Sequence, residues 1–116
     1  MSDEKVDTVK SSSGGVIGRA QSVARGVKVF LDSSGRPQPD AFTNGEAFLA
    51  GISSCGVTLI EKYAAEIGAP VTGMEVRIEG VRTPAEPRFQ AINVSFEIRG
   101  VDQGQAEHLV ATWRER

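Results

Sequence analysis

Between Glu46 and Glu61 the chain carries no charge, and this gap sits inside a longer stretch with helix signals at both ends. Thr43 or Asn44 can cap the start, and Glu46 falls in the first turn, where the helix dipole favours an anion. Gly68 followed by Pro70 is a helix stop. The pattern predicts one helix from about Asn44 to Ile67. Its apolar positions (Ala47, Phe48, Leu49, Ile52, Cys55, Val57, Leu59, Ile60, Tyr63, Ala64, Ile67) fall nearly all round it, which predicts a buried helix. A helix of 24 residues spans about 36 Å, long for a small domain. Part of it is therefore expected to be covered by something else, most simply a second copy of the chain.

The flanking segments read as strands and one more helix. Residues 1–15 are expected as a flexible N-terminal segment, with Ser11-Ser12-Ser13-Gly14-Gly15 as a turn or loop. Two short strands are expected at Val16 to Ala24 and at Gly26 to Asp32. Beyond the long helix, Met74, Val76 and Ile78 alternate with charged residues, and Ile92, Val94, Phe96 and Ile98 alternate with polar ones. Period-two patterning predicts antiparallel strands with one covered face. A second helix is expected from Asp102, with Gln105 completing a capping box and Ala106, Leu109, Val110 and Trp113 forming its apolar stripe. The expected order is β-β-α-β-β-α, an α+β class with an antiparallel sheet on the long helix, residues 16–116 forming a single domain.

With 116 residues the chain fits one domain with a modest core, which oligomerisation would help. The net charge of −2, one Trp and one Tyr supply no basic, aromatic-studded stripe for nucleic acid. No apolar run approaches the roughly 18 residues of a membrane span, and Met1 to Lys5 lacks the pattern of a secretory signal. The expectation is a cytoplasmic protein with no nucleic-acid or membrane partner. The single cysteine, Cys55, allows no intrachain disulfide and suits a reducing compartment.

The stretch Asn44-Gly45-Glu46-Ala47-Phe48-Leu49-Ala50-Gly51-Ile52-Ser53-Ser54-Cys55-Gly56-Val57-Thr58-Leu59 resembles the central-helix signature of the OsmC/Ohr family. In that signature a turn leads to a Glu, then to an apolar, small-residue helix, then to small-small-Cys. Gly68-Ala69-Pro70, Met74 to Glu79, Phe96 to Gly100 and Glu107-His108-Leu109 also resemble the family. The resemblance covers about Val16 to Arg116. It implies the OsmC-like fold, in which two chains interlock as a homodimer around their central helices. It also implies thiol chemistry of the oxidative stress response: a reactive Cys reduces an organic hydroperoxide, an Arg and a Glu stabilise its thiolate, and a second Cys resolves the sulfenic acid. Carried onto this sequence, the peroxidase residues are Cys55, Glu46 and either Arg36 or Arg25. No cofactor or metal is implied.

The sequence also departs from that pattern. The resolving cysteine is absent, and the chain ends at Arg116, about where its segment would begin, so the domain is C-terminally short relative to the family. Turnover would then need an external thiol reductant. Glu46 lies nine residues before Cys55, as in OsmC-like branches of less defined function, whereas the Ohr-type Glu lies ten before and that place is Gly45. Nine residues rotate a helix by about 900° and advance about 13 Å, so Glu46 reaches Cys55 only if a partner copy supplies it. The alternative reading keeps the fold without catalysis: Cys55 is packing, and a small hydrophobic ligand binds at the dimer interface.

The remaining motifs point nowhere else. Ser13 to Gly18 imitates a phosphate loop but lacks the following Lys and Ser/Thr. His108, the sole histidine, has no ligand-spaced Cys or carboxylates and reads as a surface helix residue.

Overall fold

A computed structural model describes residues 4–85 and 88–115. Seven elements follow in the order β1 (Lys10–Ser13), β2 (Arg19–Ala24), β3 (Val27–Asp32), α1 (Asn44–Ile67), β4 (Gly73–Val81), β5 (Ala91–Arg99) and α2 (Gln103–Glu115). They form two compact units, residues 1–47 and 48–116.

The first unit is a three-stranded antiparallel sheet in the order β1-β2-β3. β2 and β3 pair from Arg19↔Asp32 to Ala24↔Val27, which leaves Arg25-Gly26 as a two-residue turn. Both turn residues have positive φ, 53° and 81°, the conformation that matches the strands' own twist. Two expectations are corrected here. The serines Ser11 to Ser13 are strand, not loop; pairing with β2, including a 2.8 Å Ser11–Ser22 hydroxyl bond, supplies what their composition lacks. The next strand begins at Arg19 rather than Val16, because Val16 to Gly18 are spent in a turn closed by Arg19 N–H donating to the Val16 carbonyl at 3.0 Å.

In the second unit β4 and β5 pair antiparallel from Gly73↔Arg99 to Val81↔Ala91. Their apolar alternation puts Met74, Phe96 and Ile98 against a core of Ile60, Tyr63, Ala64 and Leu109. α1 ends as expected: Ala69 N–H bonds to the Ala64 carbonyl at 2.9 Å and Gly68 N–H to the Ala65 carbonyl, a Schellman closure. α2 starts on the expected capping box, Gln105 N–H to Asp102 Oδ1 at 2.8 Å and Asp102 N–H to Gln105 Oε1 at 3.3 Å. Its stripe delivers Leu109, Val110 and Trp113 to the core.

Gly100 turns the chain from β5 toward α2 at φ 93°, where an added Cβ would run into the Pro70 carbonyl oxygen and the Thr72 amide. Both the dihedral and the rigid backbone neighbours forbid a side chain there. Gly100→Ala is expected to cost about 3 kcal/mol or more, read as a lowered denaturation midpoint in urea.

Within one chain α1 is covered along a single stripe. Only Gly56, Ile60, Tyr63 and Ala64 of α1 are buried. The unit offers two strands and one short helix to cover it, enough for one stripe at i, i+4, i+7 and i+8. Phe48 remains 57% exposed and Ile67 61%.

Candidate functional site

Cys55 is a free, exposed thiol, not a buried one. The cause is its neighbour. Gly56 faces the core, close enough to Phe96 and Trp113 that a Cβ would touch both rings at 3.4 to 3.6 Å. One residue is about 100° of helix rotation, so Cys55 is turned off the buried stripe. Two nearby hydroxyls bond to their own helix: Ser53 Oγ donates to the Leu49 carbonyl at 3.0 Å and Thr58 Oγ1 to the Ser54 carbonyl at 3.1 Å. Phe48, seven residues earlier, shares the face of Cys55 about 10 Å along the axis. Its ring stacks on Phe89 at 6.1 Å, and the Arg82 guanidinium lies 5.1 Å from the Phe89 centroid. That aromatic pair was not legible in the sequence, since Phe89 lies outside any periodic segment.

Glu46 is held by the helix start. Thr43 N–H donates to Glu46 Oε1 at 2.9 Å, and Glu46 N–H donates to Thr43 Oγ1 at 3.1 Å, a complete capping box with Thr43 as the cap. Thr43→Ala is expected to destabilise the protein by about 1 kcal/mol in a urea melt. Glu46→Gln keeps the box but removes the charge; it is expected to leave that midpoint within about 0.5 kcal/mol. Any change it makes in thiol reactivity then reports on the charge alone.

The two candidate arginines differ in setting. Arg25 sits at the β2–β3 hairpin tip with φ 53°. Arg36 is exposed on the segment between β3 and α1, and its guanidinium has no ion-pair partner among the described residues. That segment is organised by a residue sequence reasoning did not single out. Asp32, 1% exposed at its side chain, accepts from Arg19 Nε at 2.8 Å, from Ser34 N–H at 3.0 Å, from the Ser34 hydroxyl and from Gln38 N–H at 2.9 Å. Burial pushes its carboxyl up, and the Ser34 and Gln38 hydrogen bonds with the Arg19 charge more than offset this, holding it down at about 2. The visible signal was Asp32-Ser33-Ser34-Gly35, an Asx-turn composition directly after a strand.

Cys55 belongs to the second unit and Glu46, Arg36 and Arg25 to the first, so none of the three is its neighbour within its own unit. A groove of about 570 Å³ lies between β5 and α2 over Phe96, Ile98, Val101 and Val110, and Cys55 does not line it. Among the described residues no three His, Cys, Asp or Glu are grouped to hold a metal, and no helix is long and apolar enough to cross a membrane.

An α+β chain of two antiparallel sheets and two helices, with a lone cysteine in the middle of the longer helix, is a narrow class. Residues 36–116 match the family model of OsmC-like proteins, and the chain belongs to that family. Its fold is similar to that of the OsmC-like protein from Mycoplasma pneumoniae (TM-score 0.85, 15% identity, covering 98% of this chain and 84% of that one). It is also similar to the organic hydroperoxide resistance protein OsmC from Legionella pneumophila (TM-score 0.72, 21% identity, 98% and 85% covered). A third similar structure is the organic hydroperoxide resistance protein OhrB of Bacillus subtilis (TM-score 0.65, 17% identity, 96% and 84% covered). No curated protein matches the sequence.

Proposed function

We propose that this chain is a thiol-dependent reductant of organic hydroperoxides that works as a homodimer through Cys55. The observation that carries the reading is the free, exposed Cys55 on the central helix, in a family with members named for organic hydroperoxide resistance. The Cys55 thiolate attacks the distal peroxide oxygen. The O–O bond breaks, an S–O bond forms, and the alkoxide leaves and takes up a proton as the alcohol. Sulfur loses two electrons and the peroxide gains them. With one cysteine per chain, an external thiol condenses with the sulfenic acid, releasing water. A second such thiol displaces the mixed disulfide and restores Cys55. Arg36 or Arg25 supplies the positive charge that favours the thiolate, and a partner copy's carboxylate at position 46 orients it.

The homodimer is supported by apolar surface that one chain leaves in water. Phe48 on α1 is 57% exposed, and Val27, Val29 and Phe30 on β3 are 53%, 49% and 56% exposed. A buried core of four hydrophobic side chains among the described residues is thin for a chain this long. Such apolar surface marks an association site.

Dimedone trapping tests the chemistry. After brief exposure of the reduced protein to cumene hydroperoxide, a dimedone adduct is expected on the peptide holding Cys55. A native dimer with no adduct would sink the proposal. The rival reading, a non-catalytic module for a small hydrophobic ligand, draws on the groove between β5 and α2. It predicts ligand binding that Cys55→Ser leaves intact.

A further inference from the structure

Side chains along a strand point alternately to opposite faces, so a hollow over one face meets every second residue. The groove between β5 and α2 is instead lined by Phe96, Glu97 and Ile98 in succession, and among the described residues none of β4 lines it. It therefore runs along the edge of β5 that faces away from β4. That edge has no partner among the described residues, because β4 and β5 form a sheet of two. A free edge presents a row of unpaired N–H and C=O groups. Edges are commonly blunted by Lys, by Pro or by a very short strand. β5 is nine residues long and contains neither Lys nor Pro.

The opposite wall is α2. From Ala106 to Arg114 it advances about 12 Å, the length of about four residues of extended chain. Ile98, Ala106 and Val110 are half-buried along this length and leave apolar surface in the groove. Glu97, Asp102 and Glu107 border it with three carboxylates against the one guanidinium of Arg114. We propose that the groove takes an extended, basic segment of another polypeptide by strand addition to β5. Main-chain hydrogen bonds run to the β5 edge. Apolar side chains at alternate positions lie against Ile98 and Val110. Basic side chains between them lie beside Glu97, the cross-strand neighbour on the other face. Asp102 and Glu107 add to the negative potential that favours such a segment. The chain's own segment before β1 does not match, since residues 4–9 carry Glu4 and Asp7 against Lys5. The proposal is independent of the thiol chemistry, because Cys55 does not line the groove.

The test is fluorescence anisotropy of a labelled, end-blocked hexapeptide of alternating lysine and valine, titrated with the full chain at low salt. A saturable rise is expected. The same peptide with alternate amides N-methylated loses main-chain donors and is expected to bind about tenfold more weakly. A glutamate–valine hexapeptide is expected to bind at least about tenfold more weakly. Glu107→Lys, at an exposed helix position, is expected to weaken the lysine–valine peptide about threefold. Ala111→Arg, also exposed, places bulk and like charge in the groove and is expected to abolish binding. Urea melts confirm that both variants fold. No binding of the basic peptide by the parent would overturn the proposal, as would equal binding of the basic and acidic peptides. Undiminished binding of the N-methylated peptide would also overturn it, giving the groove to an apolar ligand rather than a strand. A parent that binds no peptide, yet passes from dimer to monomer in sedimentation on Ala111→Arg, would give the groove to a second copy instead.

Discussion

Asp32→Ala lowers the melting midpoint by about 10 °C or more at neutral pH, the largest stability effect expected of any single polar side chain here. The substitution strips the counterion from a guanidinium that is 30% exposed and leaves the Ser34 and Gln38 amides without an acceptor. It also has a pH signature. The carboxyl titrates at about 2 when folded against an ordinary 3.8, so between those values the unfolded chain binds more protons than the folded one. A depressed carboxyl contributes its stability in full above the unfolded value and loses it as the pH falls through the folded one. The gap in midpoint between parent and variant should stay constant from neutral pH to about 5 and close between about 4 and 2. Thermal melts followed by circular dichroism across that range check it. A gap that persists unchanged at pH 2 would mean that the charge on Asp32 is not what holds the segment.

Under the proposed function, Cys55→Ser is expected to abolish hydroperoxide consumption while sparing the subunit's own fold. A serine hydroxyl at neutral pH is not ionised, so the rate is expected to fall by about 10³-fold or more, to the uncatalysed level. Within a single chain the thiol is exposed, so the urea midpoint should move by no more than about 0.5 kcal/mol. Peroxide consumption that survives the substitution would place the chemistry elsewhere. A steep loss of stability would make Cys55 a packing residue after all.

The elements that could be read from the sequence are those whose signals are local. α1 carries its cap, its stop and its apolar run in one contiguous stretch, and Asn44 to Ile67 is what forms. β4, β5 and α2 follow from period-two and helical spacing in the same way. β1 escaped because Ser11 to Ser13 have neither alternation nor β-branching; only the facing Ala20 to Ser22 make them a strand. The apolar run of α1 read as a buried helix with part of its length covered by something other than the chain itself. Apolar patterning reports the burial a chain will reach in its final assembly, and one chain covers only the stripe from Gly56 to Ala64. Cys55 could be singled out, being the only cysteine and part of a recognisable signature. Asp32 showed only as the head of an Asx-turn composition, and its burial was hidden because it depends on Arg19 thirteen residues upstream. Glu46 was legible as a residue of interest, and the structure shows how much of its carboxylate the helix start already occupies.

The most direct measurement is single-turnover stoichiometry: fully reduced protein mixed with a limiting series of cumene hydroperoxide, no external thiol present, and the alcohol product quantified. The proposed chemistry yields one molecule of alcohol per subunit, a matching loss of one titratable thiol, and recovery of that thiol on adding a small dithiol. Thiol left untouched and no alcohol formed by the intact protein would contradict it.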